Sequence, residues 1–267
     1  MSQHPSTSPR VIHHTREALF FSDIHLGWVP CYEDHVLWLR HLPEAVGDAD
    51  LIVMNGDIVD LSRGCHRKEE RALIDDLKAR VQRWRSEGRR VLYLEGNHDL
   101  MERAAPDFTP SDWMAEIRGH RGERILALHG HRFSDAPWSP TPYERLGKHL
   151  LRLENALYAQ VPWILPFYGK TLGRGPDHIG QLESQAWARK LPGRIASLVQ
   201  AGDQLVVGHT HFDRGYRDIA GVGVWRTGAW IQGGQASSAN RMLRYHKGLF
   251  RRVGWDGNEW VACQASL

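Results

Sequence analysis

Five short apolar runs in this chain are each followed directly by a cluster of potential metal ligands. The runs cover residues 18–22, 51–54, 91–94, 125–128 and 205–207, and their β-branched and aromatic content predicts buried strands. The clusters are Ser22-Asp23-Ile24-His25, Asn55-Gly56-Asp57-Ile58-Val59-Asp60, Glu95-Gly96-Asn97-His98-Asp99, His129-Gly130-His131 and Gly208-His209-Thr210-His211. Because the carboxyl ends of strands in an α/β sheet converge on one crevice, we expect these distant clusters to meet there.

The residue types in these clusters suit divalent cations. Such ions prefer carboxylate oxygens and imidazole nitrogens, and one carboxylate can bridge two ions, a role for which Asp57 is the natural candidate. Alternation along an extended strand end would put Asp23 and His25 on the same side, and the same spacing recurs in His209 and His211. Glycines that allow tight turns and close backbone approach stand beside the ligands at Gly56, Gly96, Gly130 and Gly208.

Taken in order, the clusters resemble the calcineurin-like metallophosphoesterases, whose pattern is D-x-H, G-D-x-x-D, G-N-H-D/E, a later His and G-H-x-H. A single D-x-H or H-x-H is a weak signal, because such pairs also occur as surface or capping elements. All five blocks are present here between residues 23 and 211, which makes the match highly specific. The resemblance implies a four-layer α/β/β/α sandwich of α/β class around a dinuclear metal centre.

The resemblance also implies a ligand set for each ion. One metal ion would be held by Asp23, His25, Asp57 and His211. The other would be held by Asp57, Asn97, His129 and His209. We expect two manganese ions, with iron, zinc or magnesium as alternatives, because imidazole and carboxylate suit all of them.

The same family pattern assigns the catalytic groups. His98 would lie over the scissile phosphate as an electrophile or general acid, and Asp99 would orient it. Asp60 is expected behind the ligands rather than among them. A water activated by the two ions would attack phosphorus without a covalent enzyme intermediate, while the ions and His98 stabilise charge on the phosphoryl oxygens.

The rest of the chain is interpreted around this core. Residues 66–86 have apolar positions at helical spacing, and Gly88 follows them, which predicts a helix. A β-rich second sheet is predicted near the carboxyl terminus. Its strands would be 222–226, 242–245 and a hairpin of 249–253 with 260–262 that turns at Asp256-Gly257. The first 16 residues are polar and rich in proline and serine, which predicts a disordered tail without a signal peptide. We therefore expect one domain over 17–267.

A helical insert is predicted at about 132–207, before the last metal motif. This segment has no metal motif but many aromatic residues, and Leu146, Leu150, Leu153 and Leu157 recur at helical spacing. The leucine stripe predicts either a helix packed on its own domain or a cap over the active site. A basic, aromatic cap would fit a lipid-linked substrate and contact with a membrane surface.

The layout also resembles the UDP-2,3-diacylglucosamine pyrophosphohydrolases and their relatives. The shared features are the chain length, the place of the insert and a late Gly228-Ala229-Trp230. The chain differs from the best-known branch at His98, where that branch carries Arg, and at His131, where it has Asp. The resemblance implies a UDP-diacylglucosamine-like lipid as substrate.

Other functions share the same centre. A cyclic-nucleotide phosphodiesterase or a dinucleotide polyphosphatase remains an alternative for the enzyme, and a metal-binding scaffold on the same fold is the alternative from another class. Phosphoprotein phosphatases follow the second block with Arg-Gly, whereas Asp60 is followed here by Leu61-Ser62. Family nucleases that repair DNA usually carry a capping domain after the H-x-H block, for which only 56 residues remain.

Composition adds few constraints. The 34 basic and 31 acidic residues give a mild positive charge that fits an anionic small-molecule substrate, and with no recognised module we expect no nucleic-acid partner. The three cysteines form no C-x-x-C pair, which favours reduced cytosolic thiols. The apolar run at 161–168 is too short for a membrane span. We expect a cytoplasmic protein that contacts the inner membrane at most peripherally; the sequence does not predict the oligomeric state.

Overall fold

The structure is a computed structural model. It describes residues 10–12, 14–60, 67–99, 108, 110–133, 153, 156–157, 160, 191, 193, 195–209, 216–230, 241–256 and 258–263. Within these residues the helices are α1 (Tyr32–Val46) and α2 (Lys68–Ser86), with short 3-10 helices at Val29–Cys31 and His131–Phe133. The strands in the same residues are β1 (Arg10–Ile12), β2 (Glu17–Phe21), β3 (Leu51–Asn55), β4 (Arg90–Leu94), β5 (Met114–Arg118), β6 (Arg124–Leu128), β7 (Gln204–Val207), β8 (Tyr216–Ile219), β9 (Val222–Arg226), β10 (Arg241–His246), β11 (Leu249–Trp255) and β12 (Trp260–Cys263).

These strands form two mixed sheets of six strands each in the described part of the chain. The first sheet has the order β12-β11-β10-β2-β3-β4, in which β2, β3 and β4 are parallel and β10 joins β2 antiparallel. The second sheet has the order β1-β5-β6-β7-β9-β8, in which β6, β7 and β9 are parallel. The five strands predicted to precede the ligand clusters are all present, three in the first sheet and two in the second.

Alternation of side chains along the strands builds the core between the sheets. In β2, Ala18 and Phe20 face the second sheet, whereas Leu19 and Phe21 face the opposite side. From the second sheet, Ile125 and Ala127 of β6 belong to the same buried cluster as Ala18 and Phe20. Apolar burial between the sheets therefore fixes the two sets of strand ends relative to each other.

Helices cover the outer face of the first sheet. Trp38 and Leu42 of α1 and Leu77 and Val81 of α2 pack with Leu19 and other residues of that face. The helix predicted over 66–86 is confirmed for its described residues, and the backbone leaves it at Gly88, whose φ of 83° belongs to the left-handed region. Helix α1 was not predicted, although its buried residues also recur at helical spacing.

The outer face of the second sheet carries the fourth layer. Leu191 and Ile195, both in helical conformation, pack against Leu126 of β6 and Leu205 of β7. The α/β/β/α sandwich implied by the family resemblance is thus confirmed. Of the predicted insert, residues 204–207 belong to β7, and most of 134–194 lies outside the described residues, including leucines 146 and 150. The helical insert stays a prediction.

The amino-terminal prediction needs a correction. Residues 10–12 form β1, which pairs in parallel with β5 through the register Val11 to Glu116, although the composition predicted a disordered tail up to residue 16. Thr15 is also buried, and its hydroxyl donates to Asp50. Val11 and Ile12 are β-branched, which favours a strand, whereas the polar composition of the whole segment predicts disorder. Residues 1–9 lie outside the described part.

The carboxyl-terminal strands form two successive hairpins. β10 and β11 are joined by Lys247 and Gly248, which both have positive φ, as a two-residue hairpin turn requires. β11 and β12 are joined around Asp256, whose carboxylate accepts the backbone N–H groups of Asn258 and Glu259 at 2.8 and 3.0 Å. The hairpin predicted at this place is confirmed, but it extends the first sheet rather than forming a separate one.

No helix among the described residues is long and apolar enough to cross a membrane.

Candidate metal centre

Five of the predicted ligands come together in two groups that share Asp57. Asp23, His25 and Asp57 form one group, and Asp57, His129 and His209 form the other; within each group the ligand atoms lie within 4.8 Å of one another. All five residues follow strands of the two sheets, as the sequence predicted. His211, the remaining ligand implied for the first group, lies outside the described residues.

The carboxylate of Asp57 lies between the two groups. Its Oδ2 is 3.1 Å from Nε2 of His129 and 4.0 Å from Nε2 of His25. Its Oδ1 accepts the backbone N–H of His98 at 2.8 Å. Two ligands held at about 2.1 Å from one ion lie about 3 to 4 Å apart, depending on the angle between them, so both separations are compatible with ligands of one ion. Oδ2 of Asp57 is therefore placed to bridge two ions.

Two buried polar atoms support a cation at the second group. Oδ1 of Asn97 and Nε2 of His129 are buried and have no hydrogen-bond partner among the described residues. Nε2 of His129 lies 3.1 Å from Oδ2 of Asp57, a charge contact between two members of the same group. Buried polar atoms in proteins are otherwise nearly always bonded. Oxygen and imidazole donors that converge without partners fit a divalent ion, so the residues present fit the metal centre that the family implies.

The histidines are oriented through the ring nitrogens that point away from the centre. Nδ1 of His129 is 2.9 Å from the carbonyl oxygen of Asn55, and Nδ1 of His25 is 3.3 Å from Oδ2 of Asp60. A proton on each Nδ1 leaves a lone pair on Nε2, which is the nitrogen that faces Asp57. Both imidazoles are therefore fixed with Nε2 toward the metal positions.

The backbone at the ligands lies in the left-handed region. Asp23 and His25 have φ of 55°, Asp57 has φ of 54° and His209 has φ of 69°, a conformation that costs about 1–3 kcal/mol at a residue other than glycine. The D-x-H pair therefore does not reach the site as an extended strand end, because β2 already ends at Phe21. Both side chains reach one centre, but tight turns rather than strand alternation bring them there.

Hydrogen bonds between the two chain segments hold these turns. The N–H groups of Ile24 and His25 donate to the carbonyl oxygen of Asp57 at 2.9 and 3.0 Å, and that of Asp23 donates to Gly56 at 3.1 Å. Gly56 itself lies against His129, and a Cβ there would be 2.5 Å from the imidazole ring. The predicted need for a glycine beside the ligands is confirmed at this position.

His98 is oriented by Asp60 and not, as predicted, by Asp99. Nδ1 of His98 is 3.1 Å from Oδ1 of Asp60, while the other oxygen of the same carboxylate contacts His25. The rings of His25 and His98 are 4.7 Å apart, edge to face. Asp60 is fully buried, and His98 keeps about a fifth of its side chain exposed. One buried carboxylate thus positions a metal ligand and the predicted catalytic histidine together.

Asp99 has a different place. Its carboxylate accepts the N–H groups of Asp57 and Gly96 on one oxygen, at 2.6 and 2.9 Å, and those of Ile58 and Val59 on the other, both at 3.1 Å. Tyr93 also donates its hydroxyl to Asp99 at 2.6 Å. Asp99 therefore fixes the path of the loop that carries Asp57. The family resemblance implied that Asp99 orients His98, but the carboxylate of Asp99 is directed to the loop of Asp57 instead.

The charges of the site are strongly coupled. Burial raises the pKa of Asp57, but the charges of His129 and His98 outweigh it and hold the pKa well below its usual range. Burial lowers the pKa of His129, yet Asp57 and Asp23 raise it to about 9. Burial, aided by the charge of His129, lowers the pKa of His209 to about 3. The pocket is therefore anionic enough to favour a cation next to Asp57, and His209 is neutral, as a metal ligand must be.

A cluster of ion pairs, formed by Glu95 with Arg132 and His131, lies beside two of the ligand blocks. Arg132 donates to Glu95 at 2.8 Å, its guanidinium lies 5.2 Å from the ring centre of Trp113, and Nε2 of His131 is 3.5 Å from the same Glu95. Glu95 and Arg132 flank the Gly96-Asn97 and His129-Gly130 blocks. Position next to two ligand blocks is the signal that points to these residues.

Comparisons with known proteins were made on sequence and on structure. No curated protein matches the sequence significantly. A protein tyrosine phosphatase from a psychrophilic Shewanella species has 18% identity and a TM-score of 0.45, over 96% of this chain and 83% of that chain. A dimetal phosphatase from Danio rerio has 14% identity and a TM-score of 0.44, over 94% and 99%. A predicted phosphoesterase from Streptococcus pneumoniae has 14% identity and a TM-score of 0.40, over 93% and 98%.

The family model provides the assignment. The model described as calcineurin-like phosphoesterase matches residues 18–213, which is well over half of the chain and contains every predicted ligand. The family uses a pair of divalent metal ions, and the two groups that share Asp57 are the side chains that could hold them here. On this match the chain belongs to the calcineurin-like phosphoesterase family, whose members are metal-dependent hydrolases of phosphoesters.

Proposed function

We propose that the chain hydrolyses a phosphoester or pyrophosphate bond with water at a pair of divalent metal ions. The observation that carries the proposal is the position of Oδ2 of Asp57 between two groups of ligands. Bound there, two ions lower the pKa of a water molecule and stabilise negative charge on the phosphoryl oxygens. The ligand set implied by the resemblance, including Asn97 and His211, would hold them.

The chain itself contributes a positioned histidine. Asp60 holds Nδ1 of His98, which directs the opposite nitrogen, Nε2, away from that carboxylate. The partly exposed ring is within reach of a substrate and can donate a proton to the leaving oxygen or a hydrogen bond to a phosphoryl oxygen. Arg132, which Glu95 holds at 2.8 Å, has further guanidinium N–H groups that can donate to a phosphoryl oxygen.

A lipid-linked nucleotide, of the UDP-diacylglucosamine type, is the proposed substrate. Leu153 and Leu157 lie one helical turn apart in the predicted insert and are 57% and 49% exposed. Exposed leucines at this spacing offer an apolar strip to an acyl chain or to a membrane surface. Together with the resemblance in layout, this strip supports a lipid substrate and peripheral membrane contact.

A substrate panel with added Mn²⁺ tests the reaction. The panel contains bis(p-nitrophenyl) phosphate, a UDP-lipid, cyclic nucleotides, dinucleotide polyphosphates and single-stranded DNA. We expect turnover of the aryl diester and the highest kcat/KM on the UDP-lipid. Bound metal without hydrolysis of any phosphoester would overturn the enzymatic function in favour of a metal-binding scaffold, and a clear preference for a cyclic nucleotide or dinucleotide would overturn the lipid substrate.

A pair of variants tests the role of the apolar strip. In Leu153→Ser/Leu157→Ser we expect unchanged hydrolysis of bis(p-nitrophenyl) phosphate and a raised KM for the UDP-lipid. Leu249→Ser is the matched control, because Leu249 is 51% exposed at the start of β11 and lies outside the predicted insert. Equal KM values for the lipid in all three proteins would contradict the proposed contact.

A further inference from the structure

A buried pair of hydroxyl groups lies behind the metal ligand Asp23. The hydroxyl of Ser22 donates to Oδ2 of Asp23, and the oxygen atoms of Ser22 and Thr227 are 2.5 Å apart. Ser22 is 1% exposed and Thr227 is fully buried. Ser22 follows β2 of the first sheet and Thr227 follows β9 of the second, so the pair crosses between the sheets.

The direction of these hydrogen bonds follows from counting protons. The pair has two hydroxyl protons, and two oxygens at 2.5 Å repel unless one proton lies between them. A charge-assisted bond to a carboxylate is the strongest available, so the proton of Ser22 goes to Asp23. Only Thr227 can then supply the proton between the hydroxyls. The carbonyl of Val207 is another acceptor within reach of the Thr227 hydroxyl, at 3.2 Å, but a proton on that longer contact would leave none between the two hydroxyl oxygens at 2.5 Å.

The other contacts of Asp23 complete its placement. Oδ2 also accepts the backbone N–H of His209 at 3.1 Å, so that two donors converge on this one oxygen. Gly208 packs directly against them, and a Cβ at this position would be 2.5 Å from Oγ of Ser22 and 2.9 Å from Oδ2 of Asp23. These two donors hold Oδ2, and a carboxylate oxygen of Asp23 lies within 4.8 Å of the ligand atoms of His25 and Asp57.

We propose that Thr227 and Ser22 are positioning residues: a hydroxyl relay from Thr227 through Ser22 to Oδ2 of Asp23 holds this carboxylate in the orientation that binds one of the two metal ions. The inference rests on the proposed metal-dependent function and adds to it two residues outside the ligand set. Through the relay, the end of the second sheet at Thr227 fixes a ligand carried by the first sheet. Partners of metal ligands at this distance typically contribute about 10- to 100-fold to metal affinity.

Metal binding to the full chain tests the relay. The wild type is expected to bind two Mn²⁺ ions by titration calorimetry, with stoichiometry checked by elemental analysis. Thr227→Val keeps the side-chain shape without the hydroxyl and is expected to weaken one of the two sites by about 10- to 100-fold while the other is unchanged. Ser22→Ala removes the donor to Asp23 and is expected to show at least the same loss. Thr227→Ser restores the hydroxyl and is expected to restore both affinities.

Thr15→Val is the matched control for buried hydroxyl loss. Thr15 is fully buried and donates to the carboxylate of Asp50 at the opposite end of β2. We expect this variant to lower Tm without changing either Mn²⁺ affinity.

The relay is overturned if Thr227→Val and Ser22→Ala bind both ions like the wild type, or if Thr15→Val weakens binding as much as they do. A failure of Thr227→Ser to restore the affinity also counts against it. If Thr227→Val does not fold, the Mn²⁺ affinities of Ser22→Ala and Thr15→Val are compared to test the relay instead. A wild type that binds no metal overturns the proposed function itself, and the relay with it.

Discussion

Replacement of Asp60 by asparagine separates its role from that of Asp99. Asp60 uses one oxygen for Nδ1 of His98, at 3.1 Å, and the other for Nδ1 of His25, at 3.3 Å. Asparagine offers a single acceptor oxygen, so one of the two buried ring N–H groups must lose its partner. A buried donor without an acceptor costs about 1–3 kcal/mol, which corresponds to about 5- to 160-fold in a rate or binding constant.

The place where this cost appears identifies the contact that is lost. If His98 loses its partner, kcat on bis(p-nitrophenyl) phosphate at saturating Mn²⁺ should fall by about this factor while metal affinity stays unchanged. If His25 loses it, the fall should appear in Mn²⁺ affinity. Asp50→Asn is the matched control, because Asp50 also accepts two hydrogen bonds, from Thr15 and from the N–H of Arg16, at the far end of the sandwich. That control should change stability alone.

Two outcomes would refute this reasoning. Asp60→Asn with both kcat and Mn²⁺ affinity within about twofold of the wild type would show that the carboxylate does not position either histidine. An Asp99→Asn variant with normal Tm and a selective loss of kcat would show that Asp99, and not Asp60, orients His98. For Asp99→Asn we expect the reverse, a lowered Tm. The amide nitrogen of the asparagine would face backbone N–H groups that donate to the carboxylate in the wild type.

Three further predictions follow from the same structure. Asp57→Ala removes the bridging carboxylate and should abolish turnover and reduce bound Mn²⁺ by elemental analysis; wild-type turnover would contradict the two-metal centre. Gly96→Ala places a Cβ against the backbone N and Oδ1 of Asp57 and should lose metal binding, whereas Gly193→Ala, whose added Cβ would meet no atom of the described residues within 4 Å, should not; equal metal binding in the two would contradict the packing argument. Burial and the bond to Glu123 raise the pKa of Tyr245 to about 12, so its stabilising contribution is complete below about pH 10 and is lost as the pH rises toward 12. The difference in urea unfolding free energy between wild type and Tyr245→Phe should therefore shrink from pH 9 to pH 12, and a constant difference would contradict it.

The convergence of the ligand clusters was predictable because it depends on few physical rules. A buried strand needs a short apolar run, and parallel strands end at the same edge, so polar residues after each run are expected to meet. Asp57 lies close to both Asp23 and His129, as this rule predicts. Strand β5 was not predicted, because a glutamate interrupts its apolar residues. The burial of this residue, Glu116, depends on ion pairs with Arg118 and Arg124 at 2.6 and 2.9 Å.

Side-chain partnerships within the clusters were not predictable to the same degree. Asp99 follows His98 in sequence, yet its carboxylate turns toward the Asp57 loop, and Asp60 reaches His98 from 38 positions away. The path of the backbone decides between these arrangements, and it depends on turns with positive φ at Asp23, His25 and Asp57. Aspartate and histidine adopt positive φ more often than most other residues, but this preference does not mark the individual positions at which the surrounding structure imposes such a turn.

The strained turns have a physical reason in the site itself. A relaxed strand end would continue to point successive side chains to opposite faces of the sheet. The mutual repulsion of the carboxylates of Asp23 and Asp57 also disfavours their approach. The turns bring both carboxylates to one centre, and the hydrogen bonds from Ile24 and His25 to the carbonyl of Asp57 keep them there. Backbone strain and carboxylate repulsion are thus both imposed by folding, through the apolar core between the sheets. A cation that binds between the carboxylates relieves the repulsion without moving the backbone, so the fold supplies the orientation that metal ligands would otherwise have to acquire on binding.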